Sequence, residues 1–167
     1  MDKTSKMTES YFKNITFHKR PIPVQPEYRP VYRIAQIVVA LKKACKKNKA
    51  SLLLLHLFSW ALKSKENEDA LFSYIENPSQ TSVEVLTFEP ALNRALHFAK
   101  AEDLIEIVTG QGHYLLTEKG HKFAELLLND NSVLIQEKRF LDKAKKSLTE
   151  TLAQGISQKW SQSNVEN

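Results

Sequence analysis

Apolar residues recur at helical spacing along most of this chain, but the stretch 88–128 changes period twice. Pro90 suits the first turn of a helix, and Glu89 favours the positive N-terminal end. Leu92, Ala95, Leu96 and Ala99 then form one apolar stripe, with Asn93, Arg94, His97 and Lys100 on the opposite face. Leu104-Ile105-Glu106-Ile107-Val108 has strand composition. Gly110-Gln111-Gly112 supplies the positive-φ residues of a hairpin turn, and His113-Tyr114-Leu115-Leu116 returns as a second strand. Thr117 is placed to cap a following helix, with Glu118 in its first turn and Phe123, Ala124, Leu127 and Leu128 as its apolar face. The stretch therefore predicts helix, β-hairpin, helix.

Upstream, the spacing predicts a first helix from Pro30 to about Lys47, with Val31, Ile34, Ala35, Val38, Leu41 and Cys45 on its buried stripe and Asn48 as a left-handed stop. Ser51 caps a second helix, Leu52 to about Lys63, which has almost no polar face. Such a helix lies at the centre of a domain or under a partner, so Leu55, Phe58 and Trp60 are candidate partner-binding residues. His56 within it reads as a core histidine whose ring finds a backbone acceptor. A short third helix runs from about Glu68 to Glu76, with Ala70, Leu71, Tyr74 and Ile75 inward, and Asn77-Pro78 ends it. Ser82–Leu86 alternates weakly, as a strand flanking the hairpin would. After Asn129-Asp130-Asn131-Ser132, one last helix is predicted from about Val133 to Gly155, with Trp160 anchoring its end. Its seam of Leu134, Leu141, Leu148 and Leu152 is narrow, as where a helix meets one other helix, either the first helix of its own domain or a helix of a partner; Leu141, Leu148 and Leu152 join the candidate partner-binding set on the second reading.

These elements divide the chain into an extended basic arm (1–29), a helical domain (30–130), a C-terminal amphipathic helix (131–160) and a disordered tail (161–167). Pro21, Pro23, Pro26 and Pro30 forbid regular structure late in the arm. Its Tyr11, Phe12, Ile15, Phe17, Ile22, Val24 and Tyr28 are expected to pack along the domain or along a partner.

Charge changes the picture at the front. The net charge of +5 hides twelve basic and three acidic residues in 1–49, a local +9, leaving −4 for the rest. An anionic partner for this end, double-stranded DNA above all, is one reading; lysines that merely solvate a helix end are the other. Lys42, Lys43, Lys46, Lys47 and Lys49, with Arg94 and Lys100 from the helix before the hairpin, are the candidate DNA-binding residues. The single Cys45 excludes a disulfide framework and a multi-cysteine zinc site, and its place on an apolar stripe reads as a buried, inert thiol. No segment has the pattern of a signal peptide, and the apolar run Leu52–Leu62 is too short to span a bilayer, so a soluble cytoplasmic protein is expected.

Catalytic constellations are missing. The chain has no P-loop, GxGxxG, HExxH, GxSxG or CxxC pattern, its five histidines are scattered, and four glycines are few for phosphate-cradling loops. A protein that binds, with no catalytic residues, cofactor or metal, is expected.

Two resemblances follow from these residues. The passage YLLTEKGHKFAELL after a polar-faced helix resembles the wing-to-helix segment of bacterial winged-helix proteins, which implies a mainly α fold with a small β-hairpin wing. Winged helices bind DNA or dock on proteins. YRPVYRIAQIVVALKKACKKNKASLLLLHLFSWALKS resembles the small middle component of bacterial ABC-three-component, Lamassu-type, antiphage and anti-plasmid systems. That resemblance implies a non-catalytic accessory subunit that joins an SMC/ABC-like ATPase to an effector nuclease. The competing expectation is a stand-alone winged-helix transcriptional repressor. Such a repressor exposes base-reading side chains along one helix, whereas here Glu102 and Asp103 follow Lys100 and repel phosphate.

Overall fold

A computed structural model describes residues 29–79, 89–145 and 147–163, with side chains to residue 159. The arm up to residue 28, the Ser82–Leu86 strand, the Trp160 anchor and residues 164–167 of the tail lie outside the described residues.

Among the described residues the chain is mainly helical with one small antiparallel sheet. Helix α1, Pro30–Ala44, begins on a proline whose missing N–H costs nothing in a first turn. It ends in a single 3₁₀ turn, Lys46–Asn48, where Lys47 and Asn48 take the left-handed conformation (φ 56° and 55°). Asn48 is thus a left-handed stop, as its side chain favours, and Lys47 shares the role. This reversal leads directly into strand β1, Lys49–Ser51. Ser51 accepts from the Leu54 N–H and caps α2, Leu52–Ala61; Ser64 does the same for α3, Lys65–Glu76.

The segment from Pro90 follows its predicted order. Helix α4 is Pro90–Ala101, strands β2 and β3 are Ile105–Val108 and His113–Leu116, and α5 is Glu118–Asn129. Gly110 and Gly112 sit at φ +78° and +61° in the hairpin turn. The Thr117 hydroxyl accepts the Gly120 N–H at 3.0 Å. Strand β1, which the sequence pattern did not predict, pairs antiparallel with β3 in the register Lys49↔Leu115 and Ser51↔His113, giving the order β1-β3-β2. Three residues carry no readable period; β1 exists because β3 offers it a free edge.

Helix α1 lies at the centre. Ile37, Val38, Val39, Ala40 and Leu41 are all buried, beneath α4, α5 and α6. Its expected single stripe is therefore an almost complete girdle, and only Val31, expected inside, projects outward. Helix α2 is buried from Leu54 to Ser59, as its lack of a polar face requires.

The C-terminal part corrects the single-helix expectation. Two helices stand there, α6 (Ile135–Ala144) and α7 (Glu150–Ser163), so residues 161–163 are helix rather than tail. The Ser147 and Leu148 N–H groups both return to the Ala144 carbonyl, and the Thr149 hydroxyl accepts from Leu152 N–H at 3.2 Å. A hydroxyl that caps a new helix competes with continuing the old one. The break lets α7 turn back over α2, burying Leu148, Ala153 and Ile156. Lys159 sits 5.1 Å from the Tyr74 ring centroid and donates to the Pro78 carbonyl at 2.8 Å, fastening α7 to the end of α3. Phe72 meets Phe140 at a ring separation of 5.9 Å, fastening α6 to the same helix.

One glycine is set by contact rather than by a turn. A Cβ on Gly120 would stand 2.0 Å from the Leu104 carbonyl oxygen, which itself accepts the Thr117 N–H at 3.2 Å. Backbone cannot yield as a side-chain tip does, so Gly120→Ala is expected to cost about 2–4 kcal/mol. Gly155 faces open space within α7, and Gly155→Ala is expected to stabilise by about 0.5–1 kcal/mol. Urea denaturation of the two variants beside the parent checks the opposite signs.

Candidate functional site

The two ends of α1 carry the two polar features of the molecule. At its C-terminal end lies a concavity of about 790 Å³ between the α1–β1 turn, the start of β3 and the α6–α7 link. Six lysines line it: Lys42, Lys43, Lys46, Lys47, Lys49 and Lys145. Lys42 pairs with Glu125 at 2.8 Å and meets His121 Nδ1 at 3.1 Å, Lys43 pairs with Asp142 at 3.0 Å, and Lys49 donates to Gln111 at 3.1 Å. Among the described residues Lys46, Lys47 and Lys145 have no such partner. Ala44, Cys45, Leu54 and Leu148 make an apolar floor. Burial, and secondarily Glu150, push the Cys45 thiol up to about 12, so it stays protonated and unreactive. Glu150, the one carboxylate in the wall, accepts the Ser51 N–H at 2.8 Å and the Ser51 hydroxyl at 2.6 Å, with His113 Nε2 at 3.7 Å.

At the N-terminal end of α1, a buried network holds two carboxylates. Arg33 donates to Glu89 at 2.9 Å, to Ser59 at 3.1 Å and to Gln36 at 3.1 Å. Ser59 donates to the other Glu89 oxygen at 2.5 Å, and Lys63 closes on Glu89 at 3.4 Å. Gln36 and the Tyr32 hydroxyl both donate to Glu137 of α6. Glu89, which the sequence placed as a helix-dipole charge, makes no cap hydrogen bond and serves instead as the counter-ion of Arg33. A smaller cavity of about 230 Å³ opens beside Tyr32, Lys63 and Glu137. The network ties α1, α2, α4 and α6 together.

The structure divides the predicted DNA-binding set. The five lysines of residues 42–49 do converge, and Lys145, which the sequence did not single out, joins them from the far side of the α6–α7 break. Arg94 and Lys100 are exposed on α4, beside β2, whereas the lysines gather past β1 at the other edge of the sheet. On the same outer face of α4, Phe98 is 50% exposed beside His97.

Most of the predicted partner-binding set is corrected. Leu55, Phe58, Leu141 and Leu148 are no more than 3% exposed and belong to this domain's own core, so they offer no surface for a partner protein to pack on. Only Trp60 and Leu152 remain half-buried. The seam is split over two helices, and these pack on helices of this chain, α6 on α1 and α7 on α2.

His56 also departs from expectation. It is buried, yet among the described residues neither ring nitrogen has a hydrogen-bond partner. Burial, partly opposed by Glu89 and reinforced by Lys63, holds its imidazole below the usual value. Among the described residues no group of three or more His, Cys, Asp or Glu gathers as metal ligands do, and no helix is long and apolar enough to cross a membrane. Comparison with protein-family models, with curated proteins and with solved structures finds no match to this chain.

Two expectations on stability follow. Leu141→Ala and Leu148→Ala should each cost about 3 kcal/mol in the isolated protein, measurable by denaturant unfolding; values near zero would return these residues to a partner surface. His56 is neutral when folded, and its folded pKa lies below the unfolded value of about 6.5. Its contribution is therefore present above that pH and lost as pH falls below it. His56→Leu removes two buried nitrogens that have no partner among the described residues, so it should stabilise by about 1 kcal/mol at neutral pH, and the gap should widen as pH falls below about 6.5 in melting experiments.

Proposed function

We propose that this chain is a non-catalytic, winged-helix-like accessory subunit that holds a nucleic-acid backbone at its lysine-lined edge. Its place is in a bacterial antiviral or anti-plasmid complex, where it joins an SMC/ABC-like ATPase to an effector nuclease. The observation that carries the binding half is the convergence of six lysines from two parts of the chain, residues 42–49 and Lys145, three of them unpaired among the described residues. Evenly solvated lysines would disperse; lysines held together against mutual repulsion are a standing attraction for phosphate. The winged-helix reading is supported by a polar-faced helix that leads straight into the hairpin, by the strand order β1-β3-β2, and by the glycine-built wing turn.

The subunit reading is favoured over a repressor by α4. Its outer face offers Arg94, His97 and Lys100 but also exposes Phe98, and Glu102 and Asp103 stand exposed just past its end. An exposed phenylalanine gains by meeting protein, and the acids repel a duplex where base-reading helices approach it. Assignment to the defence complex rests on the passage 28–64, whose texture resembles that family's middle component.

Fluorescence anisotropy with duplexes of unrelated sequence tests the binding half. Affinity should be weak and sequence-independent, and log K should fall with log salt at a slope of about −3, from three unpaired lysines. Lys46→Gln with Lys47→Gln should reduce that slope by about 2, while Arg94→Ala changes affinity less than about twofold. A tight footprint on one sequence, lost in Arg94→Ala, would establish the repressor instead. Co-purification with an ATPase and a nuclease encoded beside it tests the assembly half, and Phe98→Asp should weaken that assembly without lowering the melting temperature.

A further inference from the structure

The lysine-lined edge is concave, and its shape asks for something other than a duplex. A duplex is a convex rod whose phosphates reach the rim of a hollow but do not fill it. The hollow is about 790 Å³, within the range of small-ligand pockets, roughly 300–1,000 Å³. Its two halves differ chemically. The rim carries Lys46 and Lys47 from one side and Lys145 from the other, none paired among the described residues, while the floor is Ala44, Cys45, Leu54 and Leu148. The start of α7 also lines it at Thr149, Glu150 and Thr151, where the positive end of the helix dipole favours negative charge. The one opposing carboxylate, Glu150, is held at the wall by Ser51. A ligand that suits both halves has a short polyanionic chain and a less polar body.

We infer that this concavity binds a nucleoside polyphosphate, and that the bound nucleotide and a duplex backbone exclude one another there; the exclusion rests on the nucleic-acid reading above, the site itself does not. The phosphate chain lies among Lys46, Lys47 and Lys145, and the nucleoside covers the aliphatic floor. The left-handed turn at Lys47 and Asn48 serves the site, since it brings Lys46, Lys47 and Lys49 to one rim within four residues. Lys42 and Lys43 support the field from behind, their charges shared with Glu125 and Asp142.

Isothermal titration calorimetry of the full chain at fixed ionic strength, with ATP, ADP, AMP and inorganic tripolyphosphate, tests the site. Each phosphate lost should cost about tenfold in affinity, as for the removal of one charge-assisted contact. Tripolyphosphate should bind about tenfold more weakly than ATP, because it leaves the apolar floor uncovered. The triple variant Lys46→Gln, Lys47→Gln, Lys145→Gln should lose ATP. Thr151 is exposed and lines the hollow, so Thr151→Trp fills it with every lysine kept. That variant should bind ATP at least about tenfold more weakly yet hold duplex DNA within about twofold, its melting temperature unchanged. ATP binding unaltered in Thr151→Trp, or tripolyphosphate as tight as ATP, overturns the inference. In competition, ATP at matched ionic strength should displace a labelled duplex from the parent chain. Duplex binding without ATP binding overturns the site and leaves the nucleic-acid reading standing. ATP binding without duplex binding upholds the site and removes both the reading and the exclusion.

Discussion

Everything in this molecule depends on burying α1 from nearly all sides. A helix whose residues Ile37 to Leu41 all face protein leaves little room for polar groups, yet Arg33 and Gln36 sit on it and are buried too. An unpaired guanidinium there would be costly, and breaking such a buried pair typically loses about 3–5 kcal/mol. Glu89 from the start of α4 and Ser59 from α2 meet that demand, and Glu137 from α6 accepts from Gln36. Helices α2 and α4 are thereby fixed in direction as well as in contact, because hydrogen bonds to a planar guanidinium tolerate little displacement. Apolar burial drives the assembly, and the Arg33 network specifies its geometry.

The same helix explains where the free charge goes. With its middle enclosed and its first turns committed to the network, further cations are tolerable only in and beyond its last turn, where they also complement the helix dipole. Lys42 and Lys43 fall there and find acids on α5 and α6; the next residues turn through the left-handed region into β1. Lys46, Lys47 and Lys49 are therefore presented by a constrained reversal rather than by a loose loop. Lys145 reaches them because α6 is broken where it is. The concavity follows from how α1 and α6 each end, which is why its floor is core and its rim is charge.

The C-terminal helices show how one local choice redistributes burial. Had residues 133–155 run as a single rod, its leucine seam would have needed a partner helix. The Thr149 cap breaks the rod, and the same leucines meet α1 and α2 instead. The surface that remains for a partner lies elsewhere, on the outer face of α4 with its exposed Phe98 and at the lysine edge.

The sequence by itself determined the local elements with strong periodicity or punctuation. Helices α1, α2 and α4, the glycine hairpin and the Thr117 cap follow from spacing, side-chain capping and φ preference, which act over a few residues and need no partner. It also put five of the six lysines in one short segment. Tertiary contact alone decided the rest. Strand β1 has no period and exists only as a mate for β3. Gly120 is required by the carbonyl of Leu104, sixteen residues away and invisible to any local rule. Glu89 reads locally as a dipole charge and becomes a counter-ion only because α4 lands on Arg33. An apolar stripe states that it will be covered but not by what, so Leu55, Phe58, Leu141 and Leu148 could not be assigned to core or partner until the chain had closed over them. Lys145 joins the other lysines for the same reason: its place in the concavity depends on the direction of a chain break, a property of packing and not of spacing.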